Sequence, residues 1–276
     1  MSNLDSGFVR LPDGLRLRYR CMGDEGPTVL LLHGWPETGH AWRRVLPTLA
    51  ASGYVAVAPD LRGCGDSDKP TGGYDPKTRM EDVRGLIAAL GLSDDPIFVA
   101  GQGDFAADIT AQYAQAHPQE IAGIAFMSAA PGLLPGLSGW AREFHRTPDL
   151  PELMIGPNLE SYLRHFFETW AHDPQMLSET DLSLYVSALA SPGALRASLA
   201  PFRVPSAPIA PLPPVPTLVL LGESDPRCDP DKLPAGTETV RWQSIPRGGY
   251  WLPEERPDPV AAALLTFFRE QGQSGA

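Results

Sequence analysis

Cysteine is scarce in this chain, which has 3 cysteines among 276 residues. Cys21, Cys64 and Cys228 are scattered and odd in number, so they are typical of a protein in a reducing compartment rather than of a disulfide framework. The sequence also lacks the Cys/His spacing of a zinc site, the G-x-G-x-x-G motif of dinucleotide binding and the P-loop. We therefore expect a cytoplasmic location, no metal and no cofactor.

Basic residues are outnumbered, because 22 Lys and Arg stand against 33 Asp and Glu and give a net charge of -11 at pH 7. Binding to nucleic acid or to an anionic membrane needs clustered positive charge, so neither partner is expected. The longest apolar runs, such as Thr28–Leu32 and Thr217–Leu221, are far too short to span a bilayer. Residues Met1–Asp13 contain no apolar leader. These absences favour a soluble protein, and they leave open whether it forms a homodimer.

The apolar pattern alternates along most of the chain. Short apolar runs predict buried strands at Thr28–Leu32, Val55–Ala58, Ile97–Ala100, Gly123–Met127, Thr217–Leu221 and Thr239–Ser244. Amphipathic stretches predict helices at Ala41–Ala51, Lys77–Leu92, Phe105–Ala116 and Pro259–Gln271. Strands and helices that alternate at this spacing predict the α/β class, with a mostly parallel central sheet and helices on both faces.

The pattern changes between residues 131 and 216, where no strand-like run occurs. Asn158–Trp170, Ser178–Ala190 and Gly193–Leu199 predict helices there, and Pro201–Pro216 predicts a stiff extended connection. We predict a core formed by residues 1–130 and 217–276, and a helical cap with a proline-rich return linker formed by residues 131–216. Such a cap usually roofs a pocket, and a purely structural insertion is the alternative.

Three motifs directly follow predicted strands. Residues 33–36 are His-Gly-Trp-Pro, residues 60–70 are Asp-Leu-Arg-Gly-Cys-Gly-Asp-Ser-Asp-Lys-Pro, and residues 102–106 are Gln-Gly-Asp-Phe-Ala. Together they resemble the epoxide hydrolases and haloalkane dehalogenases of the α/β-hydrolase superfamily, over nearly the whole chain. The resemblance implies the α/β-hydrolase fold and an oxyanion hole made of two backbone N–H groups. These would belong to Trp35 and to the residue after the nucleophile, Phe105.

The same resemblance implies an aspartate nucleophile on a tight turn between a strand and a helix. Counting forward from Pro96 at the start of the strand places Gly103 on the turn, whereas counting back from His117-Pro118 after the helix places Asp104 there. A helix has a fixed rise per residue and a loop before a strand varies, so we predict Asp104 on the turn, as nucleophile or base. An ordinary N-cap role for Asp104 is the alternative.

Two further positions correspond to the family's catalytic relay. Asp225 follows a strand just after the cap and resembles the acid that orients a histidine, with a turn or N-cap role as the alternative. The run Gly248-Gly249-Tyr250-Trp251 resembles the run that carries this histidine, but Tyr250 takes its place. A phenol, with a reference pKa of about 10, is a poor base at pH 7 and better suited to act as an acid. The other histidines on helices or loops are expected to be exposed: His40, His117, His145, His165 and His172.

The cap departs from the family pattern as well. Epoxide hydrolases use two cap acids, usually tyrosines; the later one corresponds to Phe202, and the earlier one has no clear counterpart between Trp140 and His145. Tyr162 and Tyr185 are at helical spacing from apolar residues and are expected to pack. What remains is an apolar pocket suited to a hydrophobic or aromatic small molecule. Its predicted lining is Trp35, Phe105, Phe202, Tyr250 and Trp251.

Three functions are compatible with these residues. The first is an epoxide hydrolase-like enzyme with Asp104 as nucleophile. The second is a diverged biosynthetic enzyme in which Asp104 and Tyr250 act as base and acid in an isomerisation, elimination, cyclisation or ring opening. The third is a non-catalytic binder of a hydrophobic ligand. The oxyanion loop and the Asp104–Asp225 pair favour the two enzymes, whereas the missing histidine favours the second and third functions.

Overall fold

The computed structural model describes residues 5–131, 139–205, 215–225, 237 and 239–273. Within them, eight strands form one sheet in the order β1-β2-β4-β3-β5-β6-β7-β8. The strands are β1 (Asp5–Arg10), β2 (Arg16–Met22), β3 (Thr28–Leu32), β4 (Val55–Pro59), β5 (Ile97–Gln102), β6 (Ile121–Met127), β7 (Thr217–Gly222) and β8 (Val240–Ile245). The pairs β1–β2 and β2–β4 are antiparallel, and the other pairs are parallel. The predicted α/β fold with a mostly parallel sheet is confirmed.

The central strands are buried on both faces, as a parallel sheet covered by helices requires. Every residue of β3, β4, β5 and β7 is buried. The helices that cover the sheet are α1 (Leu46–Ala51), α2 (Pro76–Ala89), α3 (Gly103–Ala116) and α10 (Pro257–Gln273). Leucines, valines and isoleucines from α2 and α3 fill one face, and those from α1 and α10 fill the other. None of the described helices is long and apolar enough to cross a membrane.

Five α helices lie between β6 and β7 in the described residues, and we call them the inserted helices. They are α4 (Trp140–Arg146), α5 (Leu150–Ile155), α6 (Leu159–Trp170), α7 (Glu179–Ala190) and α8 (Ala194–Arg203). The division of the chain into a core and a cap at residues 131–216 stays a prediction. A further short helix, α9 (Leu252–Glu255), precedes α10.

The predicted extended connection Pro201–Pro216 is wrong at its first residues, because α8 continues through Pro201 to Arg203. Proline lacks the N–H that would donate to the carbonyl oxygen four residues earlier, so α8 loses one helical hydrogen bond at Pro201 and ends two residues later. Residues 206–214 of this stretch lie outside the described residues.

A third cluster of buried side chains joins the inserted helices to the loops that follow β3 and β8. It contains Trp35 after β3, Phe166 and Phe202 from the inserted helices, and Tyr250 and Trp251 after β8. The inserted helices therefore pack over the carboxyl ends of parallel strands, which is where ligands bind in open α/β sheets.

Candidate active site

The turn between β5 and α3 is made by Gly103. Its φ is +73°, in the left-handed region that glycine adopts readily, and the preceding residue, Gln102, is extended. Asp104 is the second residue of α3. The prediction that Asp104 occupies the turn is therefore wrong. It failed because α3 begins at Gly103, so the helix before His117 holds one residue more than the backward count assumed.

The hydroxyl group of Tyr250 lies directly above this turn. A Cβ atom built on Gly103 would overlap the Tyr250 hydroxyl oxygen and would lie 3.6 Å from the Cα atom of Gly34. The phenol thus fills the space in which a side chain on the turn would begin. A Cβ atom on Gly34 would in turn lie 2.7 Å from the carbonyl oxygen of Gln102, so the loop after β3 approaches the turn through glycine.

The backbone of Tyr250 is fixed by three hydrogen bonds. Its carbonyl oxygen accepts from Gln102 Nε2 at 2.6 Å and from Ser128 Oγ at 2.8 Å, and its N–H donates to the Trp170 carbonyl oxygen at 2.8 Å. The ring contacts those of Trp170 and Trp251, with centroids 5.4 and 4.6 Å away, and the residue is buried. The phenol is therefore held by elements from both the sheet and the inserted helices.

Asp225 lies just beyond the carboxyl end of β7 and is buried. The N–H of its neighbour Ser224 donates to the carbonyl oxygen of Gly248 at 2.9 Å. The strand end that carries Asp225 is therefore tied to the loop that carries Tyr250. That Asp225 acts on position 250 stays a prediction.

Aromatic rings fill the space between the core loops and the inserted helices. The ring of Trp35 contacts those of His145, Phe166 and Phe202, with centroids 4.6, 5.3 and 5.8 Å away. The ring of Phe105 lies 4.6 Å from that of Phe202. All of these residues are buried except Phe105, which is half-buried. The predicted pocket residues Trp35, Phe105 and Phe202 are thus in contact, and Tyr250 and Trp251 adjoin them through the ring of Trp170.

A family model described as alpha/beta hydrolase fold matches residues 27–257. The chain belongs to the α/β-hydrolase fold family. Soluble epoxide hydrolase from Corynebacterium sp. (strain C12) is 30% identical over 275 residues, which cover 93% of this chain and 94% of that protein. Epoxide hydrolase 4 from Mus musculus is 27% identical over 301 residues, which cover 96% of this chain and 79% of that protein.

Solved structures agree with this assignment. Cfl2 from Burkholderia cenocepacia has a TM-score of 0.85 at 29% identity, and the match covers 98% of this chain and 99% of that one. The epoxide hydrolase CorEH has a TM-score of 0.82 at 26% identity, with 97% and 99% covered. The resemblance to the epoxide hydrolase-like branch of the family is confirmed.

The α/β-hydrolase fold gives the turn after β5 a defined role. The residue on this turn carries the nucleophile, and the next N–H belongs to the oxyanion hole. Here the turn residue is Gly103, which has no side chain, and the next N–H is that of Asp104. The prediction of the Phe105 N–H as the second oxyanion donor assumed Asp104 at the turn, and this assumption is wrong. The role of the Trp35 N–H stays a prediction.

His145 was missed by the sequence analysis. It was expected to be exposed, yet it is fully buried among the aromatic rings, and Tyr162 Oη lies 2.7 Å from its Nε2. Burial, together with the nearby Arg203 guanidinium, lowers the pKa of His145 to about 4. Its imidazole is therefore neutral at pH 7. His165 and His172 are exposed as expected, whereas His40 and His117 are half-buried.

Glu37 is a second buried titratable group beside the turn, and the sequence analysis did not single it out. Its Oε2 accepts a hydrogen bond from the N–H of Gly34 at 3.3 Å, and its Oε1 is buried and has no hydrogen-bond partner among the described residues. Burial, with a smaller contribution from the neighbouring Glu254 carboxylate, raises the pKa of Glu37 to about 8. At neutral pH the folded protein thus keeps this carboxyl group protonated.

Glu37→Gln is expected to stabilise the protein at alkaline pH. The pKa of Glu37 rises on folding from the usual 4.5 to about 8, so stability is lost as the pH rises through this window. Each pKa unit corresponds to about 1.4 kcal/mol, so the variant should be more stable than the wild type by several kcal/mol at pH 9 and differ little at pH 5. Thermal unfolding at the two pH values measures the difference, with the exposed Glu25→Gln as control. An equal change at both pH values would refute a protonated Glu37.

Proposed function

We propose that the protein catalyses a water-independent isomerisation of a hydrophobic or aromatic small molecule, with the phenol of Tyr250 as the proton donor. The reaction is an acid–base ring opening or cyclisation at a strained C–O bond. It replaces the ester-forming chemistry for which this turn is used elsewhere in the family.

The observation that carries the proposal is the hydroxyl group of Tyr250 above Gly103. A nucleophilic carboxylate on the turn would need this space, and the residue on the turn has no side chain. The phenol stands at the position where the bond-breaking chemistry of the fold takes place, and its backbone is fixed on both sides by hydrogen bonds. A fixed proton donor at this position favours protonation of a leaving oxygen.

Hydrolysis through an ester is less well supported by the same residues. It needs a carboxylate that attacks carbon and an imidazole that activates water. Tyr250 occupies the position of that imidazole in the sequence, and a phenol with a reference pKa of about 10 activates water poorly at pH 7. The sequence predicts Asp104, which follows the turn, as nucleophile or base; Asp104→Asn tests whether it is the base, and the proposal requires only that some base faces Tyr250.

The surroundings of Tyr250 support the substrate class. The rings of Trp35, Phe166 and Phe202 are buried and that of Trp170 is half-buried, and together they form apolar walls between the turn and the inserted helices. Such walls favour a flat apolar molecule with few polar groups. The relatives named epoxide hydrolase suggest that the strained C–O bond is that of an epoxide.

The reaction balances without a co-reactant. A base removes a proton from an O–H or C–H group of the substrate, and the electron pair left behind forms a new C–O or C=C bond. An existing C–O bond breaks, and its oxygen takes the proton of Tyr250. The product therefore has the same composition as the substrate, and the protein regains its proton when the two groups re-equilibrate.

A panel of aryl epoxides with and without an internal hydroxyl group, incubated in ¹⁸O-labelled water, tests this function. We expect a product of unchanged mass and no ¹⁸O from at least one member. A diol that contains ¹⁸O would overturn the proposal in favour of hydrolysis. Tight binding of panel members without any conversion would overturn it in favour of a ligand-binding protein.

A further inference from the structure

His145 is a titratable side chain in the aromatic cluster to which the proposed chemistry has given no role. Its ring is 0% exposed and contacts the rings of Trp35 and Phe202, with centroids 4.6 and 4.5 Å away. It reaches this position from α4, whereas Trp35 belongs to the loop after β3. The inserted helices therefore place an imidazole opposite the core loop that adjoins the turn.

The two ring nitrogens of His145 have different surroundings. Nε2 lies 2.7 Å from Tyr162 Oη. Nδ1 is buried, and no described donor or acceptor lies within hydrogen-bond distance of it. Buried polar atoms without a partner are rare in folded proteins and often indicate a missing ligand or water. Nδ1 thus marks a position at which a polar atom of a bound molecule would be stabilised.

The guanidinium group near His145 is neutralised by an ion pair. Arg203 donates to the carbonyl oxygen of His145 at 3.2 Å, and its guanidinium pairs with the Glu152 carboxylate at 2.7 Å. Burial is the main reason why the pKa of His145 is low, and it keeps the imidazole in the neutral form. The neutral form is the one that can accept a proton, and a polar substrate atom at Nδ1 would offset the burial that makes this imidazole a weak base.

We propose that His145, rather than Asp104, is the proton acceptor of the isomerisation, supplied by the inserted helices, and that Tyr162 positions it. This inference rests on the proposed function. If Nε2–H donates to the Tyr162 hydroxyl oxygen, the ring is fixed in the tautomer whose lone pair lies on Nδ1. The pair of His145 and Tyr162 then provides the base that is missing from the loop after β8, where Tyr250 replaces the histidine of the family.

The proton inventory is complete with these two groups. Nδ1 of His145 takes the proton of the substrate O–H or C–H group, and the breaking C–O bond gives its oxygen the proton of Tyr250. The imidazolium and the phenolate exchange a proton through solvent when the product leaves. The substrate class follows: an aromatic molecule with a strained C–O bond facing Tyr250 and an acidic proton facing His145.

His145→Gln and His145→Ala test the inference on a substrate that the wild type isomerises. Loss of a general base lowers kcat by about two to four orders of magnitude, and we expect this loss in both variants. His165→Gln is the matched control, because this histidine is exposed on the neighbouring helix α6. Added imidazoles should restore turnover in His145→Ala, at rates that increase with the pKa of the imidazole. A merely structural histidine would not produce that dependence.

Tyr162→Phe tests the positioning role. We expect a smaller loss of kcat than in the His145 variants and a shifted pH profile of kcat, because the ring tautomer is no longer fixed. Folded His145 variants that keep kcat within a few-fold of the wild type would overturn the inference. The proposed function would still stand, because the wild type would still isomerise its substrate. A diol product from the wild type would instead remove the proposed function itself.

Discussion

Gly103→Ala is expected to lower the free energy of unfolding by about 2–5 kcal/mol, because two costs add. A residue with a Cβ atom in the left-handed region costs about 1–2 kcal/mol. The new methyl group would also overlap the hydroxyl of Tyr250, and overpacking of this kind costs about 1–3 kcal/mol. Urea unfolding of the wild type and the variant measures the sum.

Gly91→Ala is the matched control for the backbone cost. Gly91 has a φ of +69°, close to the +73° of Gly103, and no described atom lies within 4 Å of a Cβ built there. The difference between the two variants therefore isolates the contact with Tyr250. In the Tyr250→Phe variant, the loss of unfolding free energy caused by Gly103→Ala should be smaller by about 1–3 kcal/mol. This is the interaction energy expected for two residues in contact. Equal costs at Gly103 and Gly91 would contradict the placement of the phenol above the turn.

Tyr250→Phe is expected to lower kcat by about two to four orders of magnitude, the usual effect of removing a positioned general acid. The substitution removes a single oxygen atom and leaves the ring against Trp170 and Trp251. Ligand affinity should therefore change little, and the loss should appear in kcat rather than in KM. Steady-state kinetics on the substrate found with the epoxide panel measures it.

Tyr54→Phe serves as the control for this loss. Tyr54 is also buried, but it packs against Phe98 and Phe268 on the face of the sheet that α1 and α10 cover, away from the inserted helices. It should retain wild-type kinetics. If Tyr250→Phe retained kcat within a few-fold, the proton would have to come from another group, and the assignment of Tyr250 as the acid would be wrong.

The sheet could be predicted well from the sequence because its central strands are short runs that are apolar on both faces. Thr28–Leu32 was predicted with the bounds that the structure has, and the other central strands differ by one or two residues. The antiparallel pair β1 and β2 was omitted, although Arg16, Arg18 and Arg20 alternate with less polar residues. Alternation of charged and less polar residues is the sequence signal of a strand with one solvated face. A search for continuous apolar runs does not detect such a strand.

The residue on the turn could not be determined by counting along the sequence, because the forward and backward counts gave different residues. What decides is the backbone conformation of Gly103 and its contact with Tyr250, a residue distant in the chain. A glycine in the run was the available signal, since a left-handed turn favours glycine. Neither count used it, because both measured only the distance along the chain from Pro96 or from His117-Pro118.

His145 was missed because its neighbours are charged. Arg142, Glu143 and Arg146 suggest a solvated helix, yet Ala141 and His145 are both buried and lie one helical turn apart. That spacing was the only sequence signal for an inward-facing imidazole. The ring contact with Trp35 depends on how the inserted helices pack over the core loops, which no local pattern encodes.

The oxygen content of Asp104 after turnover tests the central claim most directly. In an ester mechanism water attacks the ester carbonyl, so each turnover in ¹⁸O-labelled water places a solvent oxygen in the carboxylate of the nucleophile. The protein is allowed to turn over the substrate found with the panel in ¹⁸O-labelled water, digested, and analysed by mass spectrometry of the peptide that contains Asp104. We predict that this peptide and the product both keep their natural mass. Uptake of ¹⁸O into Asp104 would contradict the account and establish a nucleophilic aspartate beside the turn.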